Sequence, residues 1–192
     1  LFKEIERKDA WIRLSQEAYV NNILQRFEMQ DRKPARTPYS APVLEQGKDE
    51  LVQFPFRELI GHLMYLSNMT PIDDCHAVGY LSRYVSCFNE SHVIATKRII
   101  RYLKGTPNFG RSFFKNYGSD RIRLYSDSDF AGDQQDRQST SGGFILMNGG
   151  PVGWYSTKQT CVARSTAEAE YIALSVLIST ANIFKLFLES LP

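Results

Sequence analysis

The chain has 192 residues, a formal net charge of +2, 43% hydrophobic residues and 12% aromatic residues. These values indicate a globular protein and exclude a disordered or uniformly polyionic chain. Its three cysteines form no C-x-x-C pair, which favours a reducing compartment over a disulfide framework. Because no run reaches the ~18–20 uncharged apolar residues of a membrane span, and residues 1–4 do not open a signal peptide, we expect no membrane partner.

The N-terminal part is predicted to start with a hairpin and a helix. Strands are expected at Leu1–Arg7 and Trp11–Leu14, and Ser15 is a candidate cap for the helix that follows. The helix is marked by apolar residues at steps of three and four, namely Val20, Ile23, Leu24 and Phe27. Residues 31–53 hold three prolines and predict a connector that runs over the surface.

Three more helices are predicted before residue 110, each from apolar residues at helical spacing. The marker residues are Phe56, Leu59, Ile60, Leu63 and Ser67 for the first, Ala77, Tyr80, Leu81 and Tyr84 for the second, and Ile99, Ile100 and Leu103 for the third, with Ser91 as its cap. Gly105 and Pro107 predict the end of the third helix, since Gly takes the left-handed conformation and Pro cannot continue the turn. Lys97, Arg101 and Lys104 form a basic stripe on that helix, opposite its apolar face.

After residue 110 the apolar residues alternate, which predicts strands. The expected strands are Phe113–Phe114, Arg121–Asp127, Thr140–Met147 and Val152–Thr160, with turns at Asn116–Ser119, Gly132–Arg137 and Asn148–Gly150. Ser165 and Glu168 then fit the capping box of a long final helix. The predicted fold class is therefore α+β, with a mostly helical region at 1–112 and a three-stranded antiparallel sheet covered by one long helix at 113–192.

Acidic residues on the first of these strands and on the final helix suggest a metal site. The run LYSDSDFAGD contains Asp127, Asp129 and Asp133, and Glu170 stands at the N-terminal end of a helical stripe. The remaining stripe residues are Ala173, Leu174, Leu177, Ala181 and Phe184. A carboxylate at the head of a sheet-facing stripe is partly desolvated unless it meets a cation. A divalent metal would remove the repulsion between Asp127 and Glu170, so the pair predicts a Mg²⁺ site.

Simpler interpretations of the same residues remain open at this point. The aspartates fit a solvated turn. They also fit the start of a calcium loop, although Ala131 and Gln138 stand at two positions where such a loop needs ligands that bind calcium. Glu170 fits a first-turn acid that favours the helix dipole. The basic stripe fits a solvated helix surface as well as a polyanion track. Asp73 and Asp74 lead straight into a helical pattern, which favours helix-start acids over a polymerase x-x-D-D motif.

Long motifs give the chain a resemblance to a known family. The run LYSDSDFAGDQQDRQSTSGGFILMNGGPVGWYSTKQTCVARSTAEAEYIAL resembles the start of the ribonuclease H domain in Pol polyproteins of copia-type long-terminal-repeat retrotransposons. Upstream, WIRLSQEAYVNNILQRFEMQD, FRELIGHLMYLS and RIIRYLKGT resemble the segment that joins the reverse transcriptase palm to ribonuclease H. Phe130, where the family usually has Trp, is one of a few departures.

The resemblance implies a fragment of a reverse transcriptase and ribonuclease H, with 1–112 as the C-terminal part of the former and 113–192 as the N-terminal part of the latter. It implies Mg²⁺ or Mn²⁺ held by the catalytic pair Asp127 and Glu170, with Asp129 in a secondary role. The implied partners are an RNA/DNA hybrid and the remainder of the Pol polyprotein, in the cytoplasm or nucleus. The implied nucleic-acid contacts are Lys97, Arg101, Lys104, Arg137, Lys158 and Arg164.

The family's Y-x-D-D polymerase motif and the later acids of ribonuclease H do not occur in these 192 residues. Two metals about 4 Å apart need more carboxylates than two residues supply. The alternative function is therefore a non-catalytic module that binds the hybrid without cutting it.

Overall fold

The computed structural model describes residues 3–40, 52–70, 73–115, 122–133 and 135–190. Its elements are β1 (Glu4–Arg7), β2 (Trp11–Ser15), α1 (Glu17–Arg26), α2 (Phe56–Met69), α3 (Cys75–Ser82), α4 (Glu90–Gly105), β3 (Gly110–Phe114), β4 (Arg123–Asp129), β5 (Thr140–Met147), β6 (Gly150–Lys158) and α5 (Thr166–Glu189). They form two three-stranded sheets, with strand orders β1-β2-β3 and β4-β5-β6. The α+β class is confirmed. The predicted turn at Asn116–Ser119 lies outside the described residues, as do Leu1, Pro71 and Arg121.

The chain divides into two compact units. The first comprises Leu1–Lys8 and Ile12–Arg111, and the second comprises Asp9–Trp11 and Ser112–Pro192. In the first unit α1 contacts α4, and α3 contacts both α2 and α4. The apolar faces of these helices meet in one core, whose largest fully buried side chains are Phe56, Ile23, Leu59, Ile60, Leu63, Leu66, Leu81, Ile99 and Ile100. The helical spacing of apolar residues therefore predicted this core well.

The start of α1 differs from the prediction. Gln16 is the cap residue, and its side chain makes no capping hydrogen bond. Glu4 on β1 does this work instead, because its Oε1 accepts a hydrogen bond from the Ala18 N–H at 2.9 Å and its Oε2 accepts one from the Ser15 hydroxyl at 3.1 Å. A carboxylate beside the first turn also interacts favourably with the helix dipole.

Both ends of α4 also differ from the prediction. Asn89, not Ser91, caps the helix, and its side chain accepts a hydrogen bond from the His92 backbone N–H. Gly105 is the last helical residue and does not take the left-handed conformation. A Cβ there would lie 3.1 Å from Cβ of Pro34, so this glycine permits the close approach of the connector to α4.

In the second unit, β4, β5 and β6 form an antiparallel meander in which Asp127 lies opposite Gly142 and Asp129 opposite Thr140. The two-residue turn between β5 and β6 has φ values of 51° at Asn148 and 74° at Gly149. Positive φ at both central residues is typical of a tight hairpin turn. The strand prediction for β5 and the cap prediction for α5 at Ser165 are confirmed.

Small residues let α5 lie close to this sheet. α5 packs on β4 and β5, and the small residues Ala169 and Ala173 on α5 and Gly143 on β5 are buried. A Cβ on Gly143 would lie 2.1 Å from a ring carbon of Tyr155, whose hydroxyl donates a hydrogen bond to the Ala173 carbonyl at 3.2 Å. Gly143 therefore makes room for the side chain that ties β6 to α5.

The other side of α5 is exposed and apolar. Its exposed residues include Tyr171, Val176, Ile178, Ile183, Leu186 and Phe187. Among the described helices, α5 alone is long and apolar enough to cross a membrane by length and composition. By this criterion, the expectation that no segment is long and apolar enough to span a membrane is wrong. One side of α5 packs on β4 and β5, so in this structure the helix covers the sheet.

Two adjacent glycines on β5 test the close approach of α5. Gly143→Ala is expected to lower the free energy of unfolding of the second unit by about 1–3 kcal/mol, because the new methyl group displaces the Tyr155 ring. Gly142→Ala is the matched control, since the nearest atom to its Cβ lies 3.8 Å away, and it should change stability by less than about 0.5 kcal/mol. Urea unfolding followed by tryptophan fluorescence measures both, and equal effects of the two variants would contradict this packing.

Candidate nucleic-acid interface and acidic site

The basic stripe of α4 holds the connector against the helix. Arg101 Nε donates a hydrogen bond to the Lys33 carbonyl at 2.6 Å, and Lys104 Nζ donates one to the Arg32 carbonyl at 2.8 Å. Arg98 donates to the carbonyl and the hydroxyl of Thr37, at 3.2 and 2.8 Å. The stripe is therefore half-buried, and each of these cations uses only part of its donor capacity on the connector.

This packing brings the exposed cations Arg32, Lys33 and Arg36 of the connector beside the cations of α4. We call the combined set the basic surface, and its members are Arg32, Lys33, Arg36, Lys97, Arg98, Arg101 and Lys104. Within the described ranges none of them forms an ion pair with a carboxylate. An uncompensated group of like charges raises the local concentration of polyanions. The connector and Arg98 were not among the predicted contacts, although the run DRKPAR was a visible signal.

Asp127 and Asp129 are exposed on one face of β4. The alternating residues Ser126 and Ser128 are half-buried, and Ser126 pairs with Gly143, which lies on the face against which α5 packs. Since successive side chains on a strand point to opposite faces, Asp127 and Asp129 lie on the face away from α5.

Glu170 is exposed at the start of α5. The buried stripe of this helix runs through Ala169, Ala173 and Leu177, so the expectation that Glu170 heads the sheet-facing stripe is wrong. Each residue turns the helix by about 100°, which moves Glu170 from the centre of the packed face to its side. Its desolvation, one premise of the predicted metal site, is therefore absent.

The described residues contain no group of three or more His, Cys, Asp and Glu side chains that could hold a metal ion. The donor chemistry of Asp127 and Glu170 nevertheless suits Mg²⁺, which binds through one or two carboxylates and keeps water or phosphate oxygens as its other ligands. Both side chains are exposed and able to act in that mode. A two-metal arrangement would need carboxylates from further chain.

The turn after β4 uses its other acids locally. The carboxylate of Asp129 lies over Gly132, where a Cβ would be 1.9 Å from Oδ2. Lys158 Nζ pairs with Asp133 at 2.5 Å and with Asp136 at 2.6 Å. Burial lowers the pKa of Lys158, but the hydrogen bonds and charges of the two aspartates outweigh burial and raise that pKa. The trio carries a net charge of −1, which works against the predicted contact of Lys158 with phosphate.

Arg137 and Arg164 are exposed at the same end of the sheet as Asp129. The backbone N–H of Arg137 donates to the Asp133 carbonyl at 2.8 Å, and the N–H of Arg164 donates to Glu168 Oε2 at 2.6 Å. The predicted capping box would have Glu168 accept from the N–H of Ser165, but it accepts from the N–H of Arg164, one residue earlier. Ser165 Oγ accepts the Glu168 N–H as expected. Backbone contacts place these two arginines and leave their guanidinium groups at the surface.

Asp73 and Asp74 precede α3, as predicted. Asp74 occupies the cap position without a side-chain capping bond, is 0% exposed, and has no hydrogen-bond partner for either carboxylate oxygen. Burial, together with the charge of Asp73, raises the pKa of Asp74 well above its usual range. Burial also raises the pKa of Asp73, whose carboxylate accepts a hydrogen bond from the Tyr102 hydroxyl. Asp74 is thus buried in the helical core beside the more exposed Asp73, and both acids lead into α3, as expected for helix-start acids.

The chain is similar in sequence to several known proteins. No family model matches the chain. No solved structure matches it either. The Retrovirus-related Pol polyprotein from transposon TNT 1-94 of Nicotiana tabacum is 37% identical over 196 residues, covering 97% of this chain and 14% of that protein. The Retrovirus-related Pol polyprotein from transposon RE1 of Arabidopsis thaliana is 39% identical over 171 residues, covering 88% of this chain and 12% of that protein.

A shorter protein is also similar. Secreted RxLR effector protein 161 of Plasmopara viticola is 44% identical over 121 residues, covering 63% of this chain and 84% of that protein. The similarity to these transposon proteins supports a fragment of a retrotransposon Pol polyprotein. The chain spans 14% and 12% of the length of the two Pol polyproteins, so it corresponds to a small segment of such a protein.

The buried Asp74 predicts a pH-dependent stability. An acid whose pKa is raised on folding binds its proton more tightly in the folded state, so its contribution to stability falls as pH rises above its unfolded value of about 3.9. Asp74→Asn is therefore expected to raise the free energy of unfolding at pH 7 by on the order of 1 kcal/mol, with the gain shrinking toward pH 4.

Urea unfolding at a series of pH values measures this gain. Asp31→Asn, at an exposed position of the same unit, is the matched control and should leave the pH dependence of stability unchanged. A loss of stability in Asp74→Asn at pH 7 would show that the carboxylate makes a favourable interaction in the folded state.

Proposed function

We propose that the chain comprises the C-terminal part of the reverse transcriptase and the N-terminal part of the ribonuclease H of a copia-type retrotransposon Pol polyprotein, and that it holds an RNA/DNA hybrid. The observation that carries the proposal is the basic surface, where three connector cations and four α4 cations meet without a carboxylate partner among the described residues. The similarity to Pol polyproteins of transposons supports the same conclusion.

The chemistry of the basic surface suits a phosphate backbone. Lysine and arginine bind phosphate oxygens without reading sequence, and each neutralised phosphate releases counterions, so affinity falls with salt. The exposed side chains of Arg32, Lys33 and Arg36 are free to reach a ligand, while Arg101 and Lys104 keep unused N–H donors. The span from Lys97 to Lys104 along α4 is about 10 Å, and the connector extends the charge beside it.

Cleavage of the RNA strand is a second function, proposed for the whole polyprotein. In it Asp127 and Glu170 would hold Mg²⁺ or Mn²⁺, with Asp129 nearby, and the ion would activate water and stabilise the charge on the phosphate. The support is the donor chemistry of these exposed carboxylates, which lie on β4 and on the first turn of α5, with Asp127 on the face of β4 away from that helix. Arg137 and Arg164 are the cations suited to hold the backbone there, whereas Lys158 is engaged by Asp133 and Asp136.

The two functions differ in what this chain does by itself. Two carboxylates are too few for two-metal chemistry, so the chain alone is expected to bind the hybrid and not to cut it. The remainder of the polyprotein is then the partner that would supply further carboxylates.

Salt dependence of hybrid binding tests the basic surface. Replacing Arg32, Lys33 and Arg36 together with Gln is expected to reduce the slope of log affinity against log salt concentration by about 2–3, because about one counterion is released per phosphate contact. These three side chains are exposed and do not hold the connector, so the fold should remain. Fluorescence anisotropy with a labelled RNA/DNA hybrid measures the slope.

The matched control replaces Lys3, Arg7 and Arg57 with Gln, which removes the same charge from exposed positions of the same unit. It is expected to change the slope by less than about 1. An equal reduction of the salt-dependence slope in both triple variants would show that net charge, and not this surface, attracts the hybrid.

Metal binding tests the acidic residues. Asp127→Asn and Glu170→Gln are each expected to weaken Mn²⁺ binding at least about tenfold, because each removes an anionic ligand. Glu189→Gln, at the exposed far end of α5, is the control and should bind Mn²⁺ like the unmodified chain. Electron paramagnetic resonance of free Mn²⁺ measures the affinity, and unchanged binding in both site variants would remove Asp127 and Glu170 from the metal site.

A further inference from the structure

Gln159 joins three elements of the second unit through buried hydrogen bonds. It follows β6 and is 5% exposed. Its Nε2 donates to Ser141 Oγ on β5 at 2.9 Å and to the Ala169 carbonyl on α5 at 3.0 Å. Its backbone N–H donates to the Ser139 carbonyl at 2.8 Å. One residue therefore ties the end of β6 to the start of β5 and to the first turn of α5.

The same set of bonds reaches the turn after β4. Ser139 is 0% exposed, and its Oγ accepts a hydrogen bond from the Ala131 N–H at 3.0 Å. Ala131 has a φ of 53°, a conformation that costs free energy for a residue with a Cβ and that this bond helps to hold. Ala131, Ser139, Gln159 and Ala169 thus form a continuous chain of bonded residues.

The ends of this chain of bonds lie next to the proposed metal ligands. Asp129 is two residues before Ala131, and Glu170 directly follows Ala169. Between them, Ser141 lies opposite Ser128, the residue that separates Asp127 from Asp129. The Gln159 side chain therefore holds the backbone next to Glu170 and the strand that pairs with β4.

From this geometry we infer that Gln159 is a positioning residue for the proposed metal site, a role that rests on the function proposed above. Gln159 sets where the first turn of α5, and with it Glu170, lies relative to β5 and the end of β4. Outer residues of this kind orient the ligands of metal sites, and their loss commonly costs ten- to a hundredfold in metal affinity.

The amide is the group that this role requires. Both N–H donors of Nε2 are used, one by a hydroxyl and one by a helix carbonyl. A carboxylate at position 159 would offer no donor to the Ala169 carbonyl, and a thioether of similar length would offer none to either partner. Ala169, at 0% exposed, lets the helix backbone come within reach.

The test uses the full chain with Gln159→Met and Gln159→Glu. Both variants are expected to weaken Mn²⁺ binding about tenfold while the far-ultraviolet circular dichroism stays that of the unmodified chain. Gln135→Met, at an exposed position in the turn between β4 and β5, is the matched control and should bind Mn²⁺ normally. Ser141→Ala serves as a milder second variant if the changes at Gln159 prevent folding, because it removes a single bond, and it should weaken Mn²⁺ binding about threefold.

Amide hydrogen exchange at residues 169–173 is measured alongside, and it should become at least about tenfold faster in the Gln159 variants, because both lose the side-chain bond to the Ala169 carbonyl. The inference would be overturned if the Gln159 variants exchanged faster but bound Mn²⁺ normally, while Asp127→Asn and Glu170→Gln weakened Mn²⁺ binding. Gln159 would then have a structural role only. Unchanged exchange at residues 169–173 would show that the Gln159 side chain does not hold the first turn of α5, and it would also overturn the inference. Normal Mn²⁺ binding in Asp127→Asn and Glu170→Gln would instead overturn the proposed metal site, and the positioning role with it.

Discussion

Cations on α4 that donate to backbone carbonyls of the connector create the basic surface, and the function proposed for the chain depends on them. Like charges about 6 Å apart repel by about 0.7 kcal/mol per pair in water. Hydrogen bonds from charged donors, each contributing about 1.5–3 kcal/mol, offset this repulsion at Arg98, Arg101 and Lys104. A phosphate backbone would relieve the remaining repulsion, so the same side chains serve packing and recognition.

The second unit depends on close contact between small residues. Ala169 and Ala173 bring the backbone of α5 near enough for Gln159 and Tyr155 to donate to its carbonyls. Apolar burial at this end of the helix is slight, so polar cross-links define the position of α5 there. The exposed apolar residues on the other side show that this sheet covers only part of the helix.

Sequence periodicity predicted the local elements well, because burial of one face is a local pattern. The helical core and the bounds of β5 followed from it. What it missed depends on contacts between distant residues, such as the capping of α1 by Glu4 or the connector cations that meet α4 some 68 residues later. Glu170 shows a second limit, since a shift of one residue on a helix decides between a buried and an exposed carboxylate. The assignment of the two parts to reverse transcriptase and ribonuclease H stays a prediction.

Lysine footprinting tests the central claim most directly. The full chain is acetylated with and without an RNA/DNA hybrid, and the modification of each lysine is quantified by mass spectrometry. Binding through the basic surface predicts that the hybrid protects Lys33, Lys97 and Lys104 and leaves Lys3, Lys8 and Lys185 reactive. Equal protection of all lysines, or protection confined to Lys3, Lys8 and Lys185, would contradict it.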